Sequence, residues 1–224
     1  ESKVENEIKF DLDLEGLISQ IRSKNPLVQC IQNMVAMDLS ANLLLASGAS
    51  PAMVSSCDES GDFIRKADAL SVNMGTLDAR RLHEIEVAVS SASALGKPWV
   101  LDPVGCGGTP HRTKACATIM RLKPDIVRGN ASEILALAHA CIPDQASQFA
   151  AASVKGVDST ASTEQATPAA LALARSYQCV VAVSGAVDVV TDGTVIAHVS
   201  NGVAELTRIT AVGCSLSALA AACL

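Results

Sequence analysis

Apolar positions recur along the chain at two alternating spacings, and the alternation itself predicts the architecture. Leu14, Leu17, Ile18 and Ile21 stand at i, i+3, i+4 and i+7, the stripe of an amphipathic helix, and Pro26 helps to end it. Leu27–Ile31 is an apolar run of strand length. Val35 to Ser47 reads as a helix, with Gly48 placed as its C′ residue. Pro51–Ser55 is a strand candidate, Asp58–Lys66 a weak helix, and Ala69–Met74 the next strand. Leu82, Ile85 and Val89 define a helix that stops near Gly96. Pro98–Asp102 is a strand ending in an acid, and His111–Arg121 a helix. Asp125–Arg128 is a strand and Ala131–Ala140 a helix, and Ala169–Tyr177 with Cys179–Ser184 gives one more helix and strand. Val187–Thr191 and Thr194–Val199 flank Asp192-Gly193, a dipeptide suited to a tight hairpin turn. Cys214 opens an Ala/Leu-rich helix that runs to the end.

Repeated β-α-β units imply an α/β fold: a mostly parallel central sheet with helices on both faces, and antiparallel strands near one end where the late hairpin joins. One domain over 1–224 is expected. Its last helix begins barely three turns before Leu224, so a C-terminal portion is expected to be missing. The Ala/Ser/Thr-rich stretch from Ala150 to Thr167 is expected to be mobile, and Glu1 to Phe10 reads as a polar, frayed tail, not a signal peptide. Composition sharpens this picture. At 49% hydrophobic residues the chain can bury a large core, and at 2% aromatic it must build that core from Ala, Val, Leu and Ile. The net charge of −6, without a Lys/Arg cluster, argues against a nucleic-acid surface. No apolar run approaches the ~20 residues that cross a bilayer. The eight cysteines form no C-x-x-C pair, which argues against a zinc site or a small disulfide scaffold. They read instead as small buried residues of a reducing, cytoplasmic compartment.

In an open parallel sheet, ligands bind beyond the C-terminal ends of the strands. Polar or glycine-rich groups fall at those ends here: Asn33, Asn73-Met74-Gly75-Thr76, Asp102-Pro103-Val104-Gly105, Arg128-Gly129-Asn130 and Ser184-Gly185. Thr210-Ala211-Val212-Gly213-Cys214 adds a helix start. Asp102 caps nothing obvious and is a candidate magnesium ligand; Glu133 is either a second one or the partner of Asn130 in a capping box. Arg128 either grips phosphate oxygens or forms a surface ion pair. Ser184-Gly185 either places a hydroxyl and an N–H beside phosphates or makes an ordinary turn. Free N–H groups at Val212-Gly213-Cys214 suit an anion, and a cysteine there could have a lowered pKa; the alternative is a small residue at a tight helix start. There is neither a P-loop nor an early G-x-G-x-x-G.

The ordered set of segments resembles the hydroxyethylthiazole kinases of the ribokinase-like superfamily. It runs from Pro26-Leu27-Val28-Gln29-Cys30-Ile31-Gln32-Asn33 through Gly48-Ala49-Ser50-Pro51-Ala52-Met53 and Leu101-Asp102-Pro103-Val104-Gly105. It continues with Arg128-Gly129-Asn130-Ala131-Ser132-Glu133, Lys155-Gly156-Val157-Asp158-Ser159, Ser184-Gly185-Ala186-Val187-Asp188 and Val212-Gly213-Cys214. The resemblance implies ATP-dependent phosphorylation of a hydroxyethylthiazole in thiamine biosynthesis or salvage, with Mg2+, in a homotrimer whose sites lie between subunits. It implies that Asn33, Met53 and Ala211 line the thiazole pocket and that Asp102 and Glu133 organise the metal. Arg128 and Ser184 would contact ATP, Val212 and Gly213 would form the anion hole, and Cys214 would stand at the catalytic position. Two departures accompany it. Ala211 replaces the first glycine of the family's usual Gly-x-Gly-Cys, and Ser184 replaces a usual threonine. Rival readings are another ribokinase-like vitamin kinase, a nucleotide-dependent dehydratase of hydrated nicotinamide cofactors, or a non-catalytic binder of thiazole or nucleotide. The first two are not expected to share Gln32-Asn33 and Ala49–Met53.

Overall fold

The computed structural model describes residues 13–149, 154–155, 158–159 and 161–224. Helix α1 (Leu14–Lys24) starts on the Asp13 cap and ends at Asn25, whose φ of 46° lets the chain turn sharply before Pro26. Strand β1 (Leu27–Ile31), helix α2 (Met37–Ser47), strand β2 (Ser50–Ala52) and the single turn α3 (Ser60–Phe63) follow. Gly48 closes α2 at φ 96°, as its C′ placement predicts. Then come β3 (Ala69–Asn73), α4 (Ala79–Ala94), β4 (Trp99–Asp102), α5 (Pro110–Met120), β5 (Ile126–Asn130) and α6 (Ala131–Cys141). The second half holds β6 (Val154–Lys155), β7 (Asp158–Ser159), α7 (Thr163–Tyr177), β8 (Val180–Ser184), β9 (Asp188–Thr191), β10 (Ile196–Val199) and α8 (Val212–Ala222).

Eight strands form one sheet in the order β10-β9-β8-β5-β4-β3-β1-β2. The six strands from β8 to β2 are parallel, while β9 pairs antiparallel with both β8 and β10. This is the expected mixed sheet. The short β6–β7 pair forms a separate antiparallel ribbon.

Side chains alternate across the sheet with period two, and that parity sorts the residues into two layers. Ile31, Leu70, Val72, Trp99, Leu101, Val127, Val181 and Val183 pack into a core with residues of α4, α5, α6 and α7. Val28, Cys30, Ala69 and Val100 pack into a second core with Ile21 of α1, Leu44 of α2 and Ala218 and Ala221 of α8. Asn73, Asp102, Arg128 and Ser184 share the parity of this second set. The polar residues at the strand ends thus all belong to the face that α8 covers.

The structure corrects two boundaries. Helix α7 begins at Thr163, before Pro168 and not after it. Ser162 and Gln165 make a capping box, and Ala166, Ala169, Ala170, Leu173 and Ala174 are buried. That burial offsets the backbone bond Pro168 cannot donate. The helix expected over Asp58–Lys66 contracts to α3. Within Ala150–Thr167, the described residues hold the ribbon and the start of α7; 150–153, 156–157 and 160 lie outside the described residues, as do Glu1–Phe10.

Candidate active site

The C-terminal ends of five of the six parallel strands carry the predicted residues that precede Ala211. Met53 follows β2, Asn33 follows β1, Asp102 ends β4, Arg128 lies in β5, Glu133 is in the first turn of α6, and Ser184 ends β8. Helix α8 lies across this rim, packed on α2, β1, β3, β4 and β5.

Hydrogen bonds fix the polar groups to one another. Asn33 accepts at Oδ1 from the N–H groups of Val35 and Ala36, at 2.9 and 3.1 Å, so its amide orientation is set by backbone. Its Nδ2 donates to Asn73 Oδ1 at 2.9 Å and to Cys214 Sγ at 3.3 Å. Asn73 donates in turn to Asp102 Oδ2 at 2.9 Å. Arg128 Nε donates to Ser184 Oγ at 2.9 Å. The guanidinium also abuts α8: a methyl group on Gly213 would lie 2.5 Å from Arg128 Nη1. Asp102, Arg128, Ser184, Gly213, Cys214 and Asn33 therefore converge.

Glu133 takes the capping role that was one of its two readings. The capping box with Asn130 is present, with Oε2 accepting from the Asn130 N–H at 2.9 Å. Its Oε1 accepts from the Gly105 N–H at 2.8 Å, which ties the loop after β4 to α6. Asp102 is buried, and its Oδ1 has no hydrogen-bond partner. Burial raises the pKa of Asp102, against the opposing pull of Arg128, Ser217 and Asn73. Burial, and then the neighbouring Asp102, push Glu133 up to about 7.

These shifts give a stability prediction. Native Glu133 holds its proton up to about pH 7, whereas the unfolded side chain loses it near its ordinary 4.5. The native state binds more protons in that window, so stability is full below about pH 4.5 and falls as pH rises through 7. The metal-free protein should melt several degrees lower at pH 8 than at pH 5.5, and Glu133→Gln should flatten that slope. A midpoint that rises with pH would refute it.

Cys214 does not take the lowered pKa that was one of its two readings. Burial first, then the charge of Asp102, push its thiol up to about 11, despite the hydrogen bonds from Asn73 and Asn33 and the pull of Arg128. The helix start does not produce a thiolate, because the sulfur is largely desolvated beside a carboxylate. At neutral pH Cys214 is a neutral thiol.

Ala211 takes the conformation that glycine favours, with φ 64° and ψ 7° at the N-cap of α8. Among the described residues, five non-glycine residues have positive φ. Asn25 and Gln178 end helices and Lys123 follows one, but Thr76 and Ala211 stand at the site rim. An L-residue in this region costs about 1–2 kcal/mol, less the roughly 0.5–1 kcal/mol of chain freedom that glycine would add. Ala211→Gly should therefore stabilise the fold by about 0.5–1 kcal/mol and raise the melting midpoint by roughly 1–4 °C. A lowered midpoint would show that the strain is absent.

Met53 is half-buried and packs against the Val28, Leu44 and Ala218 cluster, on the same rim but three strands away from Asp102. The sequence reading gave Asn73 no role of its own and missed Ser217, which donates to Asp102 Oδ2 at 2.8 Å. It also missed Arg112, whose guanidinium donates to the carbonyls of Met74 and Val104 and braces the two loops beside the site. Arg112 offered one signal, an unpaired cation one turn into a capped helix.

A family model described as the hydroxyethylthiazole kinase family matches residues 18–224. The chain belongs to that family. A hydroxyethylthiazole kinase of Zea mays is 52% identical over 207 residues, 92% of this chain and 70% of the maize protein. The solved hydroxyethylthiazole kinase of Pyrococcus horikoshii OT3 is 38% identical, with a TM-score of 0.80, over 93% of this chain and 74% of that one. A Staphylococcus aureus pyridoxal kinase solved with ADP aligns at a TM-score of 0.61 and 16% identity, over 88% of this chain and 79% of that one, and shares the fold alone. Membership of the hydroxyethylthiazole kinase family sets aside the other vitamin-kinase and dehydratase readings. It makes the chain a phosphotransferase with ATP as co-substrate.

Proposed function

We propose that the chain transfers the γ-phosphoryl group of ATP to the hydroxyl of hydroxyethylthiazole, as one ribokinase-like domain serving thiamine synthesis and salvage. The observation that carries this reading is the contact of the Arg128 guanidinium with Gly213 at the start of α8, beside the partnerless Asp102 oxygen. Helix N–H groups and a fixed guanidinium are what a migrating phosphoryl group needs around it.

Arg128 would hold the ATP phosphates, with the hydroxyl of Ser184 accepting from its Nε and free to donate onward. The N–H groups of Val212 and Gly213 would face the charge on the moving group. Asn33, Met53 and the Ala211 methyl would bound the thiazole. The neutral Cys214 thiol would lie beside the substrate hydroxyl without taking its proton. A loose phosphoryl transfer makes little demand on a base, so positioning and electrostatics carry the rate.

Asp102 and Glu133 fit a magnesium ion. Asp102 Oδ1 is a buried carboxylate oxygen without a donor, and each Glu133 oxygen accepts one backbone N–H, leaving lone pairs. Magnesium takes few carboxylates and completes its shell with water and phosphate. When bound, it would compensate charge on the phosphate oxygens.

Exposed Met34 and Val35, at 69% and 60%, follow Asn33 directly and give the rim an apolar edge, which supports a homotrimer with sites shared between subunits. All eight cysteines are free thiols, in keeping with a cytoplasmic setting. Among the described residues no helix is long and apolar enough to cross a membrane. The test is an assay with magnesium, ATP and hydroxyethylthiazole, read by the mass of the phosphorylated product. Pyridoxal and a hydroxymethylpyrimidine serve as competing alcohols. Tight thiazole binding without any transfer would favour the non-catalytic alternative.

A further inference from the structure

The Asp102 carboxylate is held asymmetrically. Oδ2 receives two donors, Asn73 Nδ2 at 2.9 Å and Ser217 Oγ at 2.8 Å, while buried Oδ1 receives none. The orientation of Asn73 is unambiguous, because its Oδ1 accepts from the Gly75 N–H at 2.9 Å as well as from Asn33. Its amide nitrogen must then face Asp102. Ser217 has one proton and two acceptors in reach. The charged oxygen at 2.8 Å outcompetes the Gly213 carbonyl at 3.3 Å.

These bonds close a circuit. It leaves α8 at Cys214, passes through Asn33 after β1, Asn73 on β3 and Asp102 on β4, and re-enters α8 at Ser217, one turn further on. Both Asn73 and Ser217 are completely buried, so neither bond competes with bulk water. We propose that Asn73 and Ser217 are positioning residues that clamp Oδ2 of Asp102 and present Oδ1 as its one free ligand atom. They also lock the first turn of α8 at a fixed distance from it. The inference rests on the kinase reading for the ligand, a divalent cation with a nucleotide. Groups that hold a metal-binding carboxylate typically contribute 10–100-fold to metal affinity or activity.

The test compares the parent protein with Ser217→Ala and Ser217→Thr. Removing the hydroxyl leaves an alanine in an Ala-rich helix, so the fold should survive. Four quantities are read: the melting midpoint, the calorimetric Kd for hydroxyethylthiazole without nucleotide or metal, the Kd for Mn2+ in the presence of ADP by electron paramagnetic resonance, and kcat with magnesium and ATP. Ser217→Ala should weaken Mn2+ binding and lower kcat by roughly 10–100-fold, with thiazole affinity and midpoint close to the parent's. Ser217→Thr, which keeps the hydroxyl, should recover most of both; if its extra methyl prevents folding, Ser217→Ala decides alone. Mn2+ affinity and kcat near the parent's in Ser217→Ala would overturn the clamp. So would a parallel loss of midpoint, thiazole affinity, Mn2+ affinity and kcat, which marks a packing residue. A parent that binds Mn2+ with ADP but transfers nothing defeats the kinase reading, and the Mn2+ comparison still decides the clamp. A parent that binds no Mn2+ overturns both.

Discussion

Replacing Asp102 with asparagine should lower kcat by about 10²–10³-fold while leaving the protein as stable as before or more so. The two effects separate because they arise at different oxygens. An asparagine carbonyl can still accept from Asn73 and Ser217, the donors that now meet Oδ2 at 2.9 and 2.8 Å. The buried framework is therefore kept. The other oxygen is Oδ1, which is buried and lacks a donor. An amide nitrogen there carries protons where a cation or a phosphate-bound water would need a lone pair. The stability half follows from the raised pKa of Asp102. Burial dominates its environment, so its ionised form carries a desolvation cost that a neutral amide does not incur. Asparagine should raise the midpoint slightly or leave it alone, and calorimetry should show thiazole binding intact. Near-parental kcat in Asp102→Asn would remove Asp102 from the chemistry. Loss of stability together with activity would make it a structural residue.

Much of this arrangement is legible in the sequence. Short apolar runs bounded by helices marked the parallel strands of the main sheet, because burial on both faces leaves little room for polar residues between them. The Asp192-Gly193 signal told where the antiparallel strands would join, although the connection is not a two-residue turn: it runs over the four residues 192–195, with Gly193 at positive φ and Asp192 not. Convergence at the strand ends was also legible, because a parallel sheet puts all those ends on one rim. What could not be read was lateral: which strands are neighbours, and so which polar residues touch. Asn73 meets Asp102 because β3 and β4 pair in the register that sets those two side by side. Ser217 meets Asp102 from 115 residues away in sequence. A spacing argument has no access to such pairs. The start of α7 was misplaced for a different reason, since Pro168 is a strong local signal that the capping box at Ser162 and tertiary burial override. The two readings of Cys214 stay open in sequence because helix polarity can be read there and desolvation cannot.

Gly213→Ala should reduce kcat by about 10²-fold in a protein at least as stable as its parent. On propensity alone the change is favourable, because Gly213 lies inside α8 and alanine is preferred in a helix by about 1 kcal/mol. No positive φ calls for glycine there; the only positive φ at this turn belongs to Ala211, two residues earlier. The turn thus carries alanine where the backbone suits glycine and glycine where the helix suits alanine. The reason for Gly213 is the neighbour. A Cβ would lie 2.5 Å from Arg128 Nη1, 3.0 Å from Nη2 and 3.2 Å from Cζ. Something must move, and the end of a long side chain moves more cheaply than two packed backbones. The guanidinium should swing away, strain its bond to Ser184 and leave the helix start without its cation. A displacement of about 1 Å in a positioning group can cost 10²-fold in rate. The loss should appear in kcat and in the KM for ATP, with thiazole binding spared. Ala211→Gly in the same protein should add stability without restoring activity. If Gly213→Ala instead turns over like the parent, Arg128 does not work from its place against the α8 start, and the phosphate cradle proposed for this rim is wrong.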